Sequence, residues 1–194
     1  MERNEAPGEL ELVRRFVNTR DIEEGSDELE SPDALLTCLA GMGVLDDKAT
    51  ADEKDLERAL ALREGIRALL LANNGEEIET ARIHELNRAT ESVCLTVRFD
   101  HDGGARLRPE SSGVSAALGR ILAIVVRAMD EGSWSRLKVC PNDACQWAFY
   151  DRSKNRSGKW CTMEVCGNRM KARAFRQRQV SDGGVSHPTQ QDSR

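Results

Sequence analysis

Hydrophobic residues recur every three or four positions over residues 10–90, and this spacing predicts a series of amphipathic helices. The first helix is expected to end near Asn18. Ser31-Pro32 supplies an N-cap and a proline at the first helical position of a second helix. A capping-box pattern at Thr50 opens a third helix, and a fourth is predicted over residues 76–90. The amino-terminal half of the chain is therefore expected to be helical.

The periodicity changes to two over residues 93–99, where apolar and polar side chains alternate as they do in a half-buried strand. A glycine-containing loop, Asp100–Gly104, and a second alternating segment from Arg106 follow, so we expect a β-hairpin. Ser111-Ser112 then opens a long helix that is predicted to end at Gly132. The pattern predicts a mainly α fold of the α+β kind: a helical bundle-like body with one β-hairpin.

The chain is expected to have two domains between disordered ends. Residues 1–9 and 180–194 are polar with scattered glycine and proline, which predicts disorder. A Gly-Ser-Trp-Ser segment at 132–135 marks the boundary between the domains. Residues 10–133 are predicted to form a helical regulatory domain, and residues 134–179 a small module.

Charge is divided unevenly between these parts, although the net charge is only -5. Residues 1–135 hold 16 Lys and Arg against 28 Asp and Glu, a net of -12. Residues 136–178 hold 11 Lys and Arg against 3 Asp and Glu, a net of +8. An acidic body with a basic module indicates that the module alone meets a polyanion.

Four of the six cysteines form two pairs with the same internal spacing. Each pair encloses four residues and fifteen residues separate the pairs, so two turns can present four thiolates to one metal ion. Cys140, Cys145, Cys161 and Cys166 are therefore predicted to bind one structural Zn²⁺. The metal would supply folding energy to a module too small for a core of its own. Gly167, directly after the last cysteine, suits a tight turn at the site.

Two other interpretations of the four cysteines stay open at this point. Iron–sulfur clusters also use thiolate ligands, and the cysteines could be free and buried. Cys38 and Cys94 lie apart in apolar patterns, and they are expected to be small core residues.

Two basic clusters flank the second cysteine pair. The first lies between the pairs and is rich in Ser, Asn and Gly, which predicts a loop that grips phosphates. The second follows Cys166, has helix-forming composition, and places arginines at i, i+4 and i+7 on one stripe. Such a helix can reach phosphates or base edges in a major groove. The candidate DNA-binding residues are Arg152, Lys154, Asn155, Arg156, Lys159, Arg169, Lys171, Arg173 and Arg176.

The composition argues against several other classes of protein. The amino terminus is polar, with no signal-peptide pattern, and no apolar run approaches the ~20 residues of a membrane span. A cytoplasmic protein without membrane contact is expected, and a reducing cytosol favours metal binding over disulfides. His84, His101 and His187 lie in a helix, a turn and a tail, so the chain is not expected to be an enzyme.

The segment from Arg136 to Arg169 resembles the CGNR zinc finger family, which takes its name from the letters at residues 166–169. Three short motifs, at residues 16–19, 62–67 and 86–87, resemble the ABATE domain of candidate stress-induced transcription regulators. Together the two resemblances cover nearly the whole chain. They imply four cysteine zinc ligands and a bacterial DNA-binding regulator. Within the ABATE-like motifs, Asn18, Thr19 and Arg63 are the candidate residues of an effector pocket.

The expected function is a sequence-specific DNA-binding transcription regulator. Its zinc-stapled module would contact DNA, while the helical domain, far longer than a spacer needs to be, would bind a small-molecule effector or form a homodimer. An RNA-binding regulator is an alternative, because the charge pattern does not distinguish RNA from DNA. A regulator that senses oxidation through its zinc-bound thiolates is another.

Overall fold

The computed structural model describes residues 5–46 and 48–182. About half of the chain is helical, as the sequence predicts. The helices are α1 (Leu10–Val17), α2 (Pro32–Gly41), α3 (Glu53–Ala72), α4 (Thr80–Thr90), α5 (Gly113–Asp130) and α6 (Asn168–Asp182). The strands are β1 (Arg20–Asp21), β2 (Ser26–Asp27), β3 (Leu95–Phe99), β4 (Ala105–Pro109), β5 (Leu137–Val139) and β6 (Ala148–Tyr150).

Side-chain caps mark the starts of α2 and α3, and the structure corrects the predicted starts of α3 and α4. Ser31 caps α2 as predicted, because its side chain accepts a hydrogen bond from the Ala34 amide. The capping box of α3 begins at Asp52 rather than Thr50, with Asp55 as its reciprocal partner. Helix α4 begins at Thr80 and not at residue 76, so the preceding acidic residues lie outside it.

In the part of the chain that the structure describes, three antiparallel two-stranded sheets accompany the helices. The predicted hairpin is present as β3–β4, where Val97 pairs with Leu107 and Phe99 pairs with Ala105. Two further pairs were not predicted: the two-residue strands β1 and β2, and the strands β5 and β6 in the cysteine-containing segment. These strands are too short to show a clear period of two in the sequence.

The hydrophobic core extends from the helices into the cysteine-containing segment. Phe16 of α1, Ile66 of α3 and Ile121 of α5 are at most 1% exposed. Leu137 and Val139 of β5 are 0% exposed and belong to the same cluster of core residues. The β5–β6 pair therefore packs as part of the helical body.

The chain forms two compact units that divide between Cys161 and Thr162. The first unit contains α1–α5 and β1–β6. The second contains a π-helical turn, Met163–Gly167, followed by α6. Within the described residues, no helix is long and apolar enough to cross a membrane.

The two ends of the chain are only partly described. Residues 1–4 and 183–194, which belong to the predicted disordered ends, lie outside the described residues. At the amino-terminal end, Ala6 is 7% exposed, and its amide donates a 2.7 Å hydrogen bond to a carboxylate oxygen of Glu11. At the other end, α6 extends to Asp182.

Candidate metal centre and basic surface

The four paired cysteines converge on one point. Their sulfur atoms all lie within 4.8 Å of one another, and the Sγ atoms of Cys145 and Cys161 are 3.6 Å apart. A tetrahedral zinc ion with Zn–S bonds of about 2.3 Å places its sulfur ligands about 3.8 Å from one another. Cys140, Cys145 and Cys166 are buried, and Cys161 is half-buried. The cluster fits one structural zinc ion, with no open position for a substrate.

A tight turn between β5 and β6 presents the first two thiols. The amide of Cys140 donates to the Trp147 carbonyl at 3.0 Å, and the amide of Cys145 donates to the Asn142 carbonyl at 2.8 Å. Backbone amides of the turn also point at the sulfur atoms, from Asn142 to Cys140 and from Trp147 to Cys145. In each case the donor lies two residues after the cysteine. Such N–H groups favour the thiolate form that zinc requires.

The left-handed backbone conformation at the cysteine site occurs at Gln146, and not at Gly167 as the sequence suggests. Gln146, directly after Cys145, has φ +48, in the left-handed region. Gly167, the expected tight-turn residue after Cys166, does not have a positive φ and lies within the turn Met163–Gly167. Its amide donates to the Thr162 carbonyl at 3.1 Å. A helical turn rather than a left-handed residue therefore carries the chain past Cys166.

The thiols strongly influence one another. Hydrogen bonds from Cys145 and Cys161 lower the pKa of the Cys140 thiol. The same contacts with Cys140 raise the pKa values of Cys145 and Cys161. Four close thiols cannot all ionise without a cation among them. A divalent ion removes this conflict, because it allows every thiolate to be charged at once.

A buried ion pair supports the loop between the two cysteine pairs. The Nζ atom of Lys138 contacts Oδ2 of Asp151 at 2.7 Å and the carbonyl oxygens of Arg156 and Gly158 at 2.6 and 2.9 Å. Asp151 accepts hydrogen bonds from the amides of Ser153 and Gly158 at 2.9 and 2.8 Å. The two buried charges therefore hold the backbone of this basic loop through hydrogen bonds from the interior of the protein.

Gly158 is required by this arrangement, because a Cβ atom there would lie 2.7 Å from an oxygen of Asp151. Arg136 adds a further support, since its guanidinium donates to the carbonyls of Asp151 and Ser153, both at 2.9 Å. The close packing at Gly158 and the hydrogen bonds donated by Arg136 therefore restrict the loop backbone to few alternative conformations.

The first predicted basic cluster lies on this supported loop, and all five of its side chains are exposed: Arg152, Lys154, Asn155, Arg156 and Lys159. Arg152 donates to the Glu5 carbonyl at 2.9 Å, and its guanidinium lies 5.8 Å from the centre of the Tyr150 ring. Arg156 donates to the Ser135 hydroxyl at 3.0 Å. Both of these partners are neutral, so neither hydrogen bond compensates the positive charge of its arginine.

The second predicted basic cluster belongs to the other unit, within α6. Its members are exposed: Arg169, Lys171, Arg173 and Arg176. The helical spacing of Arg169, Arg173 and Arg176 keeps them on one side of α6.

The three predicted effector-pocket residues lie in the interior, and the hydrogen bonds described for their side chains go to protein atoms. Asn18 pairs with the backbone of Ala148 through two hydrogen bonds, one donated at 3.0 Å and one accepted at 2.7 Å. Arg63 donates to both carboxylate oxygens of Asp27 at 2.6 and 2.8 Å and to the Thr19 hydroxyl at 3.1 Å. Despite burial, the Arg63 contacts lower the pKa of Asp27.

Several residues that hold the cysteine segment were missed in the sequence. Arg67 of α3 is 2% exposed and donates to the Gln146 carbonyl at 2.7 Å. Asn73 and Asn74, after the end of α3, also donate to carbonyls of this segment. The sequence distinguishes Lys138 only as one of the basic residues of the segment 136–178. The sequence Asn73-Asn74-Gly75 indicates that a helix ends there. It does not indicate that the two asparagines form hydrogen bonds with residues far along the chain.

Comparison with known families gives two matches along the chain. Residues 10–130 match the ABATE family model, described as "Putative stress-induced transcription regulator". Residues 136–179 match the model of the CGNR zinc finger. A comparison with curated proteins found no match.

Proposed function

Since the chain belongs to the ABATE family and carries a CGNR zinc finger, we propose that it is a sequence-specific DNA-binding transcription regulator. The two matches make it a regulatory zinc-binding protein. The proposal adds that the basic residues around the zinc site contact DNA, and that the helical domain senses a small molecule or dimerises.

The observation that carries the proposal is the exposed positive charge beside the zinc site. The segment 136–178 has a net charge of +8, whereas residues 1–135 have -12. The cations of the loop 152–159 are exposed, although the loop backbone is held by the buried Lys138–Asp151 pair. A rigid loop with exposed guanidinium and ammonium groups is suited to contacts with backbone phosphates.

The arginines of α6 are the candidates for sequence recognition. Arg169, Arg173 and Arg176 are exposed on a helix, and arginine can bind the O6 and N7 atoms of guanine with two hydrogen bonds. The loop residues would then set orientation and affinity, and the helix would supply base contacts. Lys171, also exposed, adds a further phosphate contact in this scheme.

Selection of bound sequences from a random duplex library tests the proposal. The full chain is expected to enrich a defined sequence, and a variant with all four zinc-binding cysteines changed to serine is expected to enrich none. Arg173→Ala should relax the preference at one base position at a cost of about 1–3 kcal/mol. Arg82→Ala, on the exposed surface of α4, is the matched control. A full chain that enriches no sequence would contradict the proposal.

Salt dependence tests the electrostatic part separately. If about five cations contact phosphates, log K should fall with log[salt] with a slope near -4.5. Competition between duplex DNA and RNA of matched sequence distinguishes the RNA-binding alternative, which predicts preference for the RNA. An affinity that does not change with salt would argue against both nucleic acids.

The sensing role has two candidate locations in the helical domain. One is the interior network of Asn18, Thr19 and Arg63, where a ligand would have to displace existing hydrogen bonds. The other is a cleft of about 690 Å³ between β4 and α5, with Arg108 and Arg120 among its lining residues. This volume is typical of ligand sites. A metabolite that raises the melting temperature, and loses this effect in Arg120→Ala but not in Arg63→Lys, would identify the cleft.

A regulator of this kind would act in the bacterial cytoplasm, where reducing conditions keep thiolates available for zinc. Symmetry in the selected DNA site, together with a dimeric mass by light scattering, would support the homodimer. The redox alternative predicts that peroxide releases zinc and abolishes DNA binding together. Unchanged zinc content and affinity after peroxide would remove that alternative.

A further inference from the structure

The carboxyl-terminal end of α3 contacts both halves of the zinc-binding segment. The side-chain amide of Asn74 donates one hydrogen bond to the Val139 carbonyl at 2.9 Å and another to the Lys159 carbonyl at 2.7 Å. Val139 immediately precedes Cys140, and Lys159 lies two residues before Cys161. A single side chain therefore connects the chain segments that lead into the two cysteine pairs.

The backbone around Asn74 gives this amide a defined position. Helix α3 is anchored in the core by Ile66 and Leu70, which are 1% and 0% exposed. Gly75 follows Asn74 with φ +92, a conformation that favours glycine and ends the helix sharply. The amides of Asn74 and Gly75 both donate to carbonyls of the last helical turn, at 2.9 Å. Asn74 thus projects from a rigid support.

A second contact from α3 reaches the turn between the first two cysteines and β6. Arg67 donates to the carbonyl of Gln146, the residue with the left-handed backbone conformation directly after Cys145. Its other terminal nitrogen donates to the Val17 carbonyl at 2.7 Å, which ties the same guanidinium to α1. Residues near three of the four zinc ligands are therefore hydrogen-bonded to side chains of α3 or of the turn that follows it.

We propose that Asn74 is a positioning residue for zinc: its two hydrogen bonds bring the Cys140 and Cys161 segments to their metal-binding separation before the ion arrives. Both N–H donors of the amide are used, and each partner is a carbonyl that would otherwise need another donor. Outer residues that orient metal ligands typically change metal affinity by about 10- to 100-fold when they are altered. The helical domain thereby contributes directly to the affinity of the zinc finger.

The adjacent residue provides a matched control. Asn73 also uses its amide for two hydrogen bonds, to the carbonyls of Trp134 and Leu137 at 2.9 and 2.8 Å. Both partners precede Cys140 by three or more residues, and neither belongs to the segment that leads to Cys161. Asn73 and Asn74 therefore differ in whether they bridge the cysteine pairs, while the residue type and the number of hydrogen bonds are the same.

The test compares Asn74→Asp with Asn73→Asp in the full-length protein. A carboxylate has the shape of the amide but only accepts hydrogen bonds, so it faces two carbonyl oxygens without a donor. Zinc affinity is measured by competition with a chromophoric chelator, and the geometry of the site by the absorption spectrum of the Co²⁺-substituted protein. Asn74→Asp is expected to weaken zinc binding on the order of tenfold or more and to shift the cobalt bands. Asn73→Asp is expected to lower stability without either effect.

Equal losses of zinc affinity in the two variants would overturn the proposal, because general destabilisation would then explain both. An unchanged affinity in Asn74→Asp would overturn it as well. If either aspartate variant does not fold, by circular dichroism, the milder pair Asn74→Ala and Asn73→Ala is compared under the same criteria. These outcomes do not depend on whether the protein binds DNA.

Discussion

The ammonium group of Lys138 lies 2.7 Å from a carboxylate oxygen of Asp151, and the two side chains are only 5% and 2% exposed. Both charges are further satisfied by backbone groups of the loop between the cysteine pairs. A buried ion pair of this kind organises the exposed basic loop from inside the protein. Removal of this ion pair should therefore affect the protein well beyond the two residues themselves.

Lys138→Met is expected to lower the free energy of unfolding by about 3–5 kcal/mol, because the Asp151 carboxylate is left buried without its partner. Denaturant unfolding of the zinc-bound protein measures the change. Lys154→Met, on the exposed surface of the same loop, should remain within about 0.5 kcal/mol of the unaltered protein. Similar losses for the two lysines would show that the buried pair has no special importance.

The same pair predicts a dependence of stability on pH. Burial raises the pKa of Asp151, but hydrogen bonds from Lys138 and Ser153 and the charge of Lys138 outweigh it and lower the pKa to about 2. A lowered pKa stabilises the fold above the ordinary value of 3.8, and this contribution is lost as pH falls towards 2. Its size is about 2 kcal/mol.

Asp151→Asn isolates this contribution, because it removes the titratable carboxyl group at residue 151 and keeps the same four cysteines. Unfolding free energies of the two proteins are measured from neutral pH down to about the ordinary carboxyl pKa and below. The advantage of the unaltered protein over Asp151→Asn should shrink as the pH falls. A constant difference across this range would contradict the lowered pKa.

The helical body and the β5–β6 pair are expected to unfold together. All three tryptophans lie between residues 134 and 160, so their fluorescence reports the cysteine segment. Far-ultraviolet circular dichroism reports mainly the helices. Leu137 and Val139 share the core with the helices, and Asn18 pairs with the Ala148 backbone, so the two transitions should coincide. A tryptophan transition at clearly lower denaturant would indicate an independent module.

The variant Asn18→Ala tests whether the helical body and the β5–β6 pair are coupled through this contact. The Ala148 amide and carbonyl would lose their partners in a buried position, at a cost of about 1–3 kcal/mol. Because Asn18 belongs to the turn after α1 and Ala148 to β6, both spectroscopic transitions should move to lower denaturant by the same amount. A shift confined to one signal would mean that the contact does not couple the two parts.

Zinc stoichiometry tests the metal centre directly. Cys161→Ser is expected to lower the metal content from one zinc per chain to near zero after treatment with a chelating resin, because one of four thiolate ligands is lost. Cys38→Ser is the control, since Cys38 lies outside the cluster and contacts Glu28 instead. Equal zinc loss in the two variants would contradict the assignment of ligands.

Local patterns allowed much of the fold to be predicted from the sequence. The helix start at Ser31 and the β3–β4 hairpin depend on neighbouring residues, and both were predicted. The start of α3 was misplaced by two residues, because Thr50 and Asp52 both have side chains that can cap a helix. The strands β5 and β6 were missed, since three-residue strands carry too few positions to show a period.

The four candidate metal ligands could be identified from the sequence alone, because a tetrahedral site of four thiolates needs cysteines at short spacing and the chain shows two such pairs. The contacts that hold those ligands in place, in contrast, depend on the tertiary structure. The Asn74 amide meets carbonyls 65 and 85 residues away, and Lys138 meets Asp151 across the loop that separates the cysteine pairs. Such partners are chosen by the packing of α3 against the β5–β6 pair, and residue type alone does not encode that packing.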